Sequence, residues 1–205
     1  MERRRATAKR AAAGRVGAAA PARTLAQLRV ELQHVKPAIW RRLLVPATIT
    51  LARLHQVLQI AMGWTDSHLH EFEIGGTRYG IPDPDWPDSP PVTSEGRVTL
   101  AQALAPAVKH FTYAYDFGDD WAHKVRVEAI LDNELNAPAP ICTEGANRCP
   151  PEDVGGVSGY LDFLQAINDP AHEEHADMLA WGGRDFDPTA FDIDAANARL
   201  LKLKR

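Results

Sequence analysis

The chain has 205 residues, is 45 % hydrophobic, and carries a formal net charge of -4, enough apolar side chain for one sizeable core. Seven of the basic residues fall in residues 1–23 against the single acid Glu2, so that stretch is +6 and the remaining chain is -10. An acidic body repels phosphate, which excludes nucleic-acid binding by the bulk field of the folded part, and no segment is long and apolar enough to cross a membrane.

Residues 1–23 are rich in Ala and Arg and nearly devoid of large apolar side chains, the composition of a disordered basic tail. Non-specific contact with nucleic acid is open to that tail alone. Residues 24–205 are read as one folded domain.

Leu28, Val30 and Leu32 alternate with polar residues and predict a half-buried strand. After Pro37, Ile39 to Val45 predicts a second, ended by Pro46. Thr50 is placed to cap a helix with apolar positions Leu51, Leu54, Val57, Leu58 and Ala61, closed by Gly63. A third strand is expected over Ser67 to Ile74, with Gly75-Gly76 turning into a fourth near Arg78 to Ile81. Residues 82–97 are proline-rich and read as a loop, followed by a short helix from Thr99 to Leu104.

Phe111, Tyr113, Tyr115 and Phe117 predict another strand. Trp121, His123, Val125 and Val127 predict its hairpin partner across Gly118-Asp119-Asp120, with all four pointing inward. The segment from Cys142 to Gly156 shows no helical or strand period and reads as a rigid loop. Helices are expected from Tyr160 to Ile167, from His172 to Trp181, and from a cap at Asp194 to Leu203. Strands early and helices late give a single α+β domain, with a largely antiparallel or mixed sheet and helices concentrated in the C-terminal third.

Candidate chemistry gathers in a few segments. His68 and His70, two apart on an expected strand, share a face and suit a metal or an acid–base pair. Asp116, Asp119, Asp120, Trp121 and His123 cluster about the hairpin, where carboxylates serve either as cation ligands or as turn acceptors. Asp66, Cys142, Cys149, Glu152 and Asp153 complete the candidate set. The two cysteines, six residues apart, lack the spacing of a zinc ribbon or redox pair and suit free thiols in a reducing cytoplasm. His172 and His175 fall one residue short of the metalloprotease spacing.

Three groups of residues carry a family resemblance. The first comprises Pro37-Ala38-Ile39-Trp40-Arg41-Arg42, Leu54-His55-Gln56-Val57-Leu58-Gln59 and Gly63-Trp64-Thr65-Asp66-Ser67-His68-Leu69-His70-Glu71-Phe72. The second is Tyr115 to His123 with Cys149 to Gly156, and the third is Phe186 to Asp192. Together they resemble the plasmid pRi ORF-three-like family over about residues 25–200. That resemblance implies an α+β domain of mobile-element association, some members of which carry a TnpR-type passenger or resolvase label. No serine of the chain sits beside an arginine cluster, which argues against strand exchange.

Two functions therefore stand open. One is a cytoplasmic accessory or interaction module with a protein partner. The other is a hydrolase dependent on a divalent metal ion, with ligands at His68, His70 and His123 and a carboxylate from Asp116, Asp119, Asp120 or Glu152.

Overall fold

The computed structural model describes residues 24–83, 91–104, 108–133 and 138–203. The basic tail and the middle of the proline-rich loop lie outside the described residues. Eight strands form one mixed sheet in the spatial order β5-β4-β3-β6-β7-β1-β2-β8. They are β1 (Thr24–Leu32), β2 (Trp40–Pro46), β3 (His70–Ile74), β4 (Thr77–Gly80), β5 (Thr93–Ser94), β6 (His110–Tyr115), β7 (Trp121–Asp132) and β8 (Ile141–Ala146). All neighbours are antiparallel except β4 and β5. The helices are α1 (Leu51–Met62), α2 (Leu100–Ala103), α3 (Gly156–Asn168), α4 (His175–Gly182) and α5 (Ile193–Lys202). The fold is α+β, with three of these five helices after the last strand.

Strict alternation makes the sheet one-sided. Leu28, Val30, Leu43, Val45, Tyr113, Tyr115, Trp121 and Val125 are fully buried. The opposite face is polar: Arg42 pairs with Glu128 and Glu144, Arg29 pairs with Glu31, and the Arg29 guanidinium lies 3.8 Å over the Trp40 ring. Helix α1 lays Leu51, Leu54, Val57 and Leu58 on the apolar face. Thr50 caps it by accepting from the Arg53 N–H, and Gly63 ends it at φ 107°.

Several local expectations are corrected. The stretch after Cys142 is not all loop, since Ile141–Ala146 pairs with β2 as the sheet's edge. β3 begins at His70 rather than Ser67, because Asp66 takes a left-handed φ of 61° and turns the chain before the ladder starts. The fourth helix begins at His175, not His172. The last helix is capped by Asp192, whose carboxylate accepts the Ala195 N–H, rather than by Asp194.

The hairpin between β6 and β7 is docked on the start of α3. Asp119 Oδ2 accepts the Gly155 N–H at 3.1 Å, and a Cβ on Gly156 would lie 2.6 Å from the Asp119 carbonyl oxygen. Gly156 also has φ 68°, so alanine there meets both a clash and backbone strain. Gly156→Ala is expected to lower unfolding free energy by about 2 kcal/mol or more in denaturant titration.

Candidate functional site

The turn that moves His68 off the strand also sets the site. His68 Nε2 is buried yet makes no hydrogen bond. It faces Asp153 Oδ1 at 3.0 Å, Asp116 Oδ2 at 3.5 Å and Glu152 Oε2 at 4.0 Å. One ligand atom from each of His68, Asp116 and Asp153 lies within 4.8 Å of the others, close enough together that one ion could be held by all three, with Asp153 on the exposed side. Asp116 is 6 % exposed; its Oδ1 accepts the Gly118 and Asp119 N–H groups at 2.9 and 3.3 Å, which leaves Oδ2 toward His68. Turn acceptor and candidate ligand are therefore two oxygens of one carboxylate. Asp116 and Asp153 both hold φ 57°, a conformation costly for a non-glycine residue.

Glu152 fixes this corner. Its Oε1 accepts the Thr65 N–H at 2.8 Å and the Thr65 hydroxyl at 3.1 Å, and Tyr115 Oη donates to it at 3.2 Å. Burial and the Glu152 charge hold the Tyr115 phenol protonated, well above its ordinary range. Trp64 adds a second tie by donating from Nε1 to the Pro150 carbonyl at 3.1 Å.

Beside the cluster opens a cleft of about 550 Å³, walled by His55, Asp66, Ser67, His68, His70 and Glu95. The His55 and His70 rings stack at 3.4 Å with planes 3° apart. His70 Nε2 meets Glu95 at 2.9 Å, and both residues are buried. His55 Nε2 meets Asp66 Oδ1 at 2.6 Å and Nδ1 meets Tyr113 Oη at 2.8 Å. Gln59 donates to the same Tyr113 oxygen, so the Tyr113 O–H donates to His55 Nδ1 and the Nε2–H points at Asp66. Burial first, and then the neighbouring His70, lower the His55 pKa, with Asp66 opposing.

The candidate residues thus divide. His68, Asp116, Glu152 and Asp153 converge, and Asp66 and His70 line the adjoining cleft. Asp119 ties hairpin to loop, and Asp120 is an exposed turn residue with φ 53°. Trp121 and His123 are wholly buried in the core. Cys142 joins β8 to α5, its backbone N–H donating to Asn197 Oδ1 and its carbonyl accepting from Asn197 Nδ2. Cys149 is a free, buried thiol that burial pushes up to about 11.

The expected ligand set of His68, His70 and His123 does not meet. His68 precedes the strand, Glu95 and His55 hold His70, and the His123 ring lies under Trp64 at 5.2 Å. His55 and Glu95 were missed. His55 had a signal, since it falls on the apolar stripe with Leu51, Leu58 and Met62; Glu95 had none, being brought in by β5 alone.

The family model for the plasmid pRiA4b ORF-3-like protein matches residues 24–195, and the chain belongs to that family. It is 44 % identical over 176 residues to the uncharacterized protein y4hQ of Sinorhizobium fredii (strain NBRC 101917 / NGR234), covering 85 % of this chain and 89 % of the relative. A crystal structure of protein of unknown function MM3350 from Methanosarcina mazei Go1 superposes with a TM-score of 0.77 at 38 % identity, covering 84 % of this chain and 97 % of that one. No helix among the described residues is long and apolar enough to cross a membrane.

His123 predicts an acid response. Its Nδ1–H donates to the Tyr113 carbonyl at 3.1 Å, its Nε2 has no partner among the described residues, and burial lowers its pKa to about 4. The unfolded chain takes the proton near pH 6.5 and the fold does not, so its contribution is full above about 6.5 and is lost as pH falls toward 4. That loss is about 3 kcal/mol. Denaturant titrations of wild type and His123→Asn should show a shallower acid loss in the variant, and parallel curves would contradict the assignment.

Proposed function

We infer that the domain binds one divalent cation at His68, Asp116 and Asp153, with Glu152 alongside, and uses it in metal-dependent hydrolysis. The observation that carries this reading is a buried imidazole nitrogen facing three carboxylates without a hydrogen bond. One nitrogen and several hard oxygens suit Mn²⁺, Fe²⁺ or Zn²⁺. An ion held there would supply Lewis acidity for activating water and a scissile carbonyl or phosphoryl group. The protein's own part is to hold substrate in the adjoining cleft, with the His55–Asp66 and His70–Glu95 pairs on its wall to relay protons.

A second reading is an accessory module with a protein partner. It is favoured by Leu69 and Ile81, 61 % and 64 % exposed on the rim of the same cleft. Both readings suit a reducing cytoplasm, the compartment in which buried free thiols persist.

Metal-stripped protein should take up one equivalent of Mn²⁺ or Zn²⁺ in equilibrium dialysis with elemental analysis. Asp116→Asn and His68→Ala should each weaken uptake at least tenfold. The same changes should abolish any turnover of a phosphoester and peptide-ester panel. Substoichiometric uptake, or undiminished binding in Asp116→Asn, contradicts the cation site. Partner capture that survives Asp116→Asn but fails in Leu69→Ser/Ile81→Ser favours the second reading.

A further inference from the structure

A second cleft, of about 340 Å³, opens between the C-terminal end of α1, residues 148–152 and the segment leading into α5. Its size is that of a small-molecule site. At its floor is Arg41, only 1 % exposed, on the buried phase of β2 shared with Leu43 and Val45. Three of the five guanidinium N–H groups are spent on carbonyls: Nε on Ala61 at 2.8 Å, and Nη1 on Trp40 and Ala146 at 2.8 and 2.9 Å. Nη2 is left with the Cys149 Sγ at 4.0 Å. That thiol, pushed up to about 11 by burial, is uncharged at neutral pH and cannot neutralise the cation.

Arg148 and Arg199 line the same cleft from exposed positions. None of the ion pairs among the described residues uses Arg41, Arg148 or Arg199. The two acids of the lining are engaged elsewhere: Glu152 by Thr65 and Tyr115, Asp192 by the Ala195 N–H of its helix cap. Three guanidiniums against two carboxylates give the cleft a net +1, on a chain whose residues beyond the tail total -10.

The floor is built to hold Arg41 in place. Its guanidinium lies 3.7 Å over the Phe191 ring, and a Cβ on Gly145 would come within 2.5 Å of that ring and 2.9 Å of Arg41 Cδ. A buried cation without a counter-charge is unfavourable, and an oxyanion seated on it supplies the charge. Guanidinium forks match carboxylate and phosphate oxygens in pairs.

We propose that this cleft binds the carboxylate or phosphate group of a small organic anion, with Arg41 at the floor and Arg148 and Arg199 at the rim. The proposal does not rest on the cation site, although Glu152 borders both places.

Titration calorimetry on metal-stripped, chelator-free full-length protein, in a phosphate-free buffer at constant ionic strength, tests it with inorganic phosphate and succinate as probes. One-to-one saturable binding of either probe is expected, and the tighter of the two identifies the oxyanion. Arg148→Gln/Arg199→Gln should weaken that binding at least tenfold while the unliganded protein still unfolds in one cooperative transition, because both side chains are exposed and Arg148 adds only a surface cation–π contact with Phe186. Absence of stoichiometric binding by both probes, or equal binding by the double variant, overturns the proposal.

Discussion

The Glu152 carboxylate is the contact on which the functional corner of this protein depends. A single side chain accepts from the Thr65 backbone, the Thr65 hydroxyl and the Tyr115 phenol. Those groups belong to the α1–β3 connection and the end of β6, so one carboxylate fastens the loop after β8 to both. A bond to a charged acceptor contributes about 1.5–3 kcal/mol where water is kept away; of these three the Tyr115 bond is part-buried, and the two from Thr65 are exposed. Asp153 follows directly in sequence, so the same fastening delivers its carboxylate to His68. Glu152 shares this task with the Trp64–Pro150 and Asp119–Gly155 bonds, which hold the two ends of the same loop segment.

The one-sided sheet explains why the polar groups collect where they do. Its outer face is occupied by ion pairs and by arginines over Trp40, and its inner face is closed by α1 and the C-terminal helices. Polar side chains that fall on the inner phase must find partners within the core. His123 does so with one carbonyl, Arg41 with three, and His55 through Tyr113, Gln59 and Asp66. One cleft is lined by the Cys149–Glu152 segment and by Arg41, and the other by His55, His68 and His70.

Much of the frame was legible from alternation and capping. Leu28 to Leu32, Phe111 to Tyr115 and Trp121 to Val127 carry a two-residue period, and Thr50 and Gly63 bracket α1 in both sequence and structure. The residues that converge around His68 stood out in the sequence as candidates, but their geometry did not. His68 and His70 look like strand neighbours, yet the left-handed Asp66 breaks the period before the ladder begins. β8 was hidden because its pairing with β2 shifts register between Arg42 and Leu43, blurring any alternation around Cys142. Arg41 was visible in principle, since it stands in phase with Leu43 and Val45. Glu95 was not, because only the parallel pairing of β5 with β4 carries it to His70.

The central claim is that His68, Asp116 and Asp153 form a cation site held by Glu152. Anomalous diffraction at the manganese edge, from crystals grown with Mn²⁺, tests it most directly. One strong anomalous peak is expected, at bonding distance from His68 Nε2 and from a carboxylate oxygen of each aspartate. A map with no peak there, and with His68 Nε2 hydrogen-bonded to water or protein instead, would contradict it.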